Sequence, residues 1–321
     1  MTVYLSAQGK LYSSYVSGMV KRCFSDICAH FEFIFIGRGE FYADQEVDVY
    51  VENTKVMSGY IERIFSYVSE GVLYTSISGR EITRDIEDSS CPIISFEGPI
   101  SGSDVINQII SRVNPKLQLN EVVSSGTFSG GCVAKIGESL ISFFERYFLK
   151  KKVLMSSSYE SEFLITKNTG LTQSYDLVVG ENVLERTYEE NTSRLFKTYK
   201  SFSQSNNFSG DFPIKSIGSS GGSSKTRDRL FLVGSESDDN ECSGLSSWSS
   251  VINRSLSKKI KIKVANHSKN GNILKVGSSL SFKDDVLSLT GNKFVFLVCW
   301  STTERCGDKA EITLLDGDSF K

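Results

Sequence analysis

The chain has 321 residues, 39% hydrophobic and 23% charged, enough to bury two or three cores and too apolar for a disordered protein. A formal net charge of −2 excludes a global pull toward nucleic acid or an anionic membrane, and no apolar run approaches the ~20 residues that span a bilayer. Seven cysteines, odd in number, scattered and without a C-x-x-C spacing, read as reduced thiols. The amino-terminal stretch lacks secretory-signal features, so synthesis and folding in a cytoplasm are expected.

A leading strand is expected at 3–5. The stretches HFEFIFI (30–36) and EVDVYVE (46–52) alternate strictly, with Phe31, Phe33 and Phe35 on one face of the first and Val47, Val49 and Val51 on one face of the second. Polar turns at 52–55 and at Ser69-Glu-Gly71 join further strands at 57–65 and 72–80, an antiparallel meander of the kind that builds small barrels. Pro92 and Pro99 mark a boundary. Ser101 or Ser103 is placed to cap a helix whose face carries Val105, Ile106, Ile109, Ile110 and Val113 and which stops before Asn114-Pro115.

The central stretch, 137–167, organises the rest. Leu140, Ile141, Phe143, Phe144, Tyr147 and Phe148 share a helical face, after which the period changes to two short strands, 153–155 and 163–165, joined by the polar SSSYESE. Beyond Gly170, strands are expected at 175–179, 184–188 and 194–199. The serine-rich segment 203–228 reads as a mobile surface loop. Cys242, Leu245, Trp248, Ile252 and Leu256 predict a helix over 239–256, and strands follow at 259–264, 274–276, 279–282, 294–300 and 312–315. The expected fold is mainly β with a small α/β insert, divided as 1–92, 93–168, 169–202 with 258–321, and a loop and helical insert at 203–257.

Reactive chemistry is hard to find. Ser220 lies in a formal G-x-S-x-G, but no buried strand and helix flank it as a nucleophile elbow requires. Gly37-Arg-Gly39 begins a dinucleotide fingerprint that Tyr42 breaks. Two histidines, His30 and His267, exclude a multi-histidine zinc site, and Cys299 with Cys306 suits no common zinc spacing. Glu189-Glu190 and Asp284-Asp285 read as solvated charge. No catalytic residue, metal site or cofactor is expected. The one shaped charge pattern is Lys259, Lys261 and Lys263, which line one face of a strand while Ile260, Ile262 and Val264 line the other. The plain reading is a solvated face; the functional one is a basic lining for polyanion.

The ordered phrases VDVYVE (47–52), SGYIERI (58–64), ISGR with RDIEDSS (77–90), GESLISFFER (137–146), VLMS and FLITK, KVGSSLSFKD (275–284), FVFLV and EITLLDGDSF resemble the baseplate hub proteins of contractile-tailed Mu-like phages. These are related in architecture to the T4-like hub and to the amino-terminal part of type VI secretion spike proteins. The resemblance runs from about residue 20 to the end and rests on order and spacing; the serine-rich loop departs from it. It implies two β-barrel-like tail-hub domains around the insert and a homotrimeric ring in the virion tail baseplate, assembled in the host cytoplasm. It also implies a central spike and a tail tube as partners, with tape measure and baseplate wedge proteins nearby and DNA passing only through the lumen. Lys259, Lys261 and Lys263 are then candidates for the lumen or a subunit interface. The rival readings are a stand-alone barrel that binds oligosaccharide or nucleic acid, a secretion-spike component, and a tail-associated cell-wall hydrolase.

Overall fold

The first sheet grows out of strict alternation. The computed structural model describes residues 3–204, 214–221, 226–233, 239–266, 268–269, 272–305 and 307–321. It opens with β1 (Val3–Ala7), β2 (Lys10–Tyr12), β3 (Ser17–Cys23), β4 (His30–Ile36), β5 (Glu46–Val51), β6 (Thr54–Ser69) and β7 (Val72–Glu81). Phe31, Phe33 and Phe35 of β4 and Val47, Val49 and Val51 of β5 are buried, since alternate side chains of a strand share a face. The β6 to β7 turn is Glu70-Gly71 with φ of 51° and 79°, the primed geometry that matches hairpin twist. Gly79 answers a different need: a Cβ there would lie 1.9 Å from the Tyr60 carbonyl oxygen, where β6 bulges. The hydrogen-bonded order is β3-β4-β7-β6-β5-β1-β2.

After α1 (Arg84–Asp88) comes the insert. Its helix α2 (Gly102–Val113) is capped by Ser101, which accepts from the Asp104 N–H at 3.1 Å. Strand β8 (Leu119–Glu121), helix α3 (Leu140–Phe148) and strands β9 (Leu154–Ser157) and β10 (Phe163–Thr166) complete it, in the sheet order β8-β10-β9. Leu140, Phe143, Phe144, Tyr147 and Phe148 are buried in one cluster with Val105, Ile106, Ile109 and Ile110. The apolar stripe of each helix thus closes over the other and over the small sheet.

The rest comprises β11 (Thr172–Val178), β12 (Val183–Glu190), β13 (Thr198–Gln204), β14 (Ile214–Gly221), β15 (Arg229–Val233) and α4 (Asp239–Ser257). Then follow β16 (Lys258–Ala265), β17 (Ser279–Asp284), β18 (Leu289–Thr303) and β19 (Gly307–Asp316). Strands β11-β17-β18-β19-β16-β12 pair in that order, and a Val179–Val183 bridge joins the ends. Strand β18 also pairs with β3, so both β blocks belong to one 13-stranded sheet. A shared core holds Phe33, Val49 and Ile77 with Leu177, Ile262, Phe282, Trp300 and Ile312. The fold is mainly β, with 51% strand and 16% helix among the described residues.

Three sequence expectations change. The strand expected over 194–199 begins only at Thr198, because Asn191 and Thr192 fold 191–195 into a turn through bonds to the Ser193 and Leu195 N–H groups. Residues 274–276 are not a strand: the Lys275 N–H goes to the Gln173 side chain and the Val276 N–H to the Tyr159 hydroxyl. The loop expected over 203–228 contains β14, and β15 follows immediately; its residues 205–213 and 222–225 lie outside the described residues. Helix α4 packs so close to β13 and β14 that a Cβ at Gly218 would lie 2.1 Å from the Cys242 carbonyl carbon, and buried Ser201 donates to the Cys242 carbonyl. The inner face is therefore mostly serine and glycine, with Tyr199 as its large buried side chain, which leaves little apolar alternation to read.

Candidate functional site

The lysine stripe lies where alternation placed it. Ile260, Ile262 and Val264 are buried, and Lys259, Lys261 and Lys263 face outward from β16. Their surroundings are not basic. Lys261 Nζ is 2.8 Å from Glu189, and Lys263 Nζ lies 2.9 Å from Glu185 and 3.7 Å from Glu311. Hydrogen bonds from Lys263 and Lys261 hold the Glu185 and Glu189 carboxyls below the usual glutamate range, and the Glu185 bond holds Lys263 above the usual lysine range. The outer face of β12, β16 and β19 is thus a lattice of paired charges around a shallow depression of about 210 Å³.

Strand β16 has no free backbone edge: it is paired on both sides, to β12 and to β19. The outermost strand is β12, whose far side carries only the Val179–Val183 bridge among the described residues. An exposed strand margin is where another chain can add backbone hydrogen bonds.

The groups weighed for chemistry are structural. Ser220 sits within β14 and donates to the Gly221 carbonyl at 3.3 Å. Asp284 is buried and accepts from Arg186 and from the N–H groups of Val286 and Leu287 at 3.0 and 3.1 Å. His30 is exposed on β4, and His267 and Cys306 lie outside the described residues. Among the described residues no three His, Cys, Asp or Glu side chains gather as metal ligands, and no helix is long and apolar enough to cross a membrane.

What the residue pattern did not show is the junction of the three bodies. The SSSYESE connection is the β9 to β10 hairpin tip, and it plugs into the first sheet. Arg22 of β3, 3% exposed, donates from Nη1 to the Val56 carbonyl at 2.6 Å and to Glu81 Oε1 at 3.0 Å. From Nη2 it donates to the Ser157 carbonyl, the Ser157 hydroxyl and the Ser158 carbonyl at 3.0, 2.8 and 2.7 Å. Glu81, wholly buried, also accepts from the Ser161 hydroxyl at 2.8 Å and the Ala29 N–H at 3.0 Å. The guanidinium lies 4.7 Å from the Tyr159 ring, and the Tyr159 hydroxyl accepts from Val276 N–H of the last block at 2.8 Å. Arg22 lies 59 residues from Glu81 and 135 from Ser157, so no local signal reveals the network. Its chemistry is connection: both terminal nitrogens of a buried guanidinium and the carboxylate it pairs with bond to segments of the first sheet and of the insert, and the hairpin tip bonds on to the last block.

One 13-stranded sheet, with an α/β insert hydrogen-bonded to both of its halves, is the fold of solved phage tail proteins. The resemblance to baseplate hub proteins of Mu-like phages is borne out. A curated relative, baseplate hub protein gp44 of Escherichia phage Mu, is 25% identical over 241 residues, covering 71% of this chain. That match covers 62% of the relative's own length. The 43 kDa tail protein of prophage MuSo2 from Shewanella oneidensis superposes with a TM-score of 0.87 at 15% identity, over 100% of both chains. An Escherichia coli type VI secretion component, described as structurally similar to the T4 tail proteins gp27 and gp5, superposes with a TM-score of 0.58 at 9% identity, over 97% of this chain and 76% of its own. No protein-family model matches the chain.

Proposed function

We infer that the chain is a structural, non-enzymatic hub subunit of a contractile phage tail or tail-derived particle, located in the virion baseplate. The observation that carries this reading is the sequence match to a baseplate hub protein over 241 residues, in a chain with a tail-protein fold. In this reading three copies close a ring that joins a central spike to the tail tube, with wedge and tape measure proteins around it. Two like β bodies per copy give six similar faces, which lets a threefold spike meet a sixfold tube. The functional units are 1–92 and 169–202 with 258–321 as the ring bodies, 93–168 as the clamp between them, and 203–257 as an outer module. The open margin of β12 supports a strand-to-strand contact with the next copy.

The face carrying Lys259, Lys261 and Lys263 is assigned to the lumen, with Lys259 at the edge where this face meets a groove beside α4. Its glutamate partners support a charge-balanced lining that lets DNA pass without retaining it. Light scattering of the purified chain tests the ring: three times the monomer mass is expected, and a monomer at all concentrations overturns it. Charge reversal at the three lysines tests the lining; unchanged particle assembly together with unchanged DNA delivery removes that role. Co-purification with a trimeric spike protein distinguishes the hub from a barrel that acts alone.

A further inference from the structure

A groove of about 530 Å³ opens between the turn that follows β12, the start of β15 and the last turns of α4. A smaller one, lined by Lys259 and Arg194, adjoins it. Its charge differs from the rest of this surface. Lys200, Lys258, Lys261 and Lys263 are each paired with a carboxylate, but Arg194, Arg229 and Lys259 have no ion-pair partner among the described residues. Glu189, which lines the smaller groove, is engaged by Lys261 at 2.8 Å, and Asp228, next to Arg229 in the chain, lies 3.6 Å from Lys200. Arg227 and Arg229 lie 4.9 and 5.5 Å from the Phe196 ring, so the aromatic surface and neighbouring cations form one wall. Ile252 and Leu256 of α4, both partly buried, supply the opposite apolar wall.

We propose that this groove docks a short carboxylate-rich segment of a partner protein, with its carboxylates on Arg194, Arg229 and Lys259 and an apolar side chain between Phe196 and Leu256. Planar guanidinium groups donate to carboxylates in bidentate geometry, and two arginines without an ion-pair partner among the described residues flank the same cavity. A nucleic-acid strand fits less well: Lys258, Lys261 and Lys263 of the adjoining strand are already paired with Glu190, Glu189 and Glu185, so no basic track continues beyond the groove to carry a phosphate backbone. The groove lies within one copy, so the proposal does not rest on the trimeric ring.

The test uses the full chain and a fluorescein-labelled, glutamate-rich peptide carrying one phenylalanine, read by fluorescence anisotropy. Saturable binding that weakens as salt is added is expected, with at least a tenfold loss in the R194E/R229E/K259E variant. A thermal melt checks that the variant folds; if it does not, the neutralising pair R194Q/K259Q is expected to weaken binding severalfold. Absence of binding by the native chain overturns the proposal. So does undiminished binding by a folded variant, or competition in which a single-stranded oligonucleotide displaces the peptide at lower concentration.

Discussion

Glu81 is a carboxylate with no exposed surface, and its partner Arg22 is almost as deeply buried. Taking both charges out of water costs several kcal/mol, which the pair recovers only because Val56, Ser157, Ser158, Ser161 and Ala29 complete its hydrogen bonds. Removing one partner strands the other. Glu81→Ala is expected to lower the unfolding free energy by about 3–5 kcal/mol, and urea denaturation checks it. Replacing Arg22 and Glu81 together with apolar residues is expected to cost less than either single change. A single-variant loss within about 0.5 kcal/mol would show that the junction is not held by this pair. No reading of residues in order identifies Arg22 or Glu81: one ends in a K-R-C run, the other closes a strand, and each looks like ordinary surface charge.

At the scale of elements, α4 shows how tertiary contact overrides composition. Its helical spacing is legible from Cys242 through Leu256, but of the strands beneath it only the start of β13 is, because close approach selects Gly218, Ser201 and Ser203 in place of apolar residues. Gly218→Val is therefore expected to lift the helix off β13 and β14, raising amide exchange there while α3 stays protected. The helix start is also tied down by charge: Glu241 lies 3.1 Å from Lys150 and 2.9 Å from Lys151. Burial pushes the Glu241 carboxyl up, but hydrogen bonds from the two lysines outweigh it and hold the group below the usual range. A carboxyl depressed in the folded state contributes stability above its ordinary value, and that contribution is lost as pH falls through the folded value. Exchange protection in α4 is thus expected to fall below about pH 4, with a shallower acid dependence in Glu241→Gln. Equal slopes in the two proteins would remove Glu241 from the account.

At the scale of the molecule, the hairpin tip at 157–161 decides whether the two β blocks move as one body. Tyr159→Ala removes the ring beneath Arg22 and the hydroxyl that receives the Val276 N–H. For the proposed ring, the expected result is a folded chain with weakened assembly, measured as a lower trimer fraction than the native chain shows at the same concentration. Unaltered assembly would assign the tip to folding alone. The β fold, the helix α3 with its five buried residues and the outward set of Lys259, Lys261 and Lys263 follow from period alone, because periods of 2 and 3.6 are local properties of backbone geometry. The pairing of β3 with β18, the glutamates that pair with Lys261 and Lys263, the strand that ends the sheet and the partners of Arg22 were decided only in three dimensions. Each joins segments far apart in the chain, and whether a charge is free or paired depends on what folding brings within a few ångströms of it.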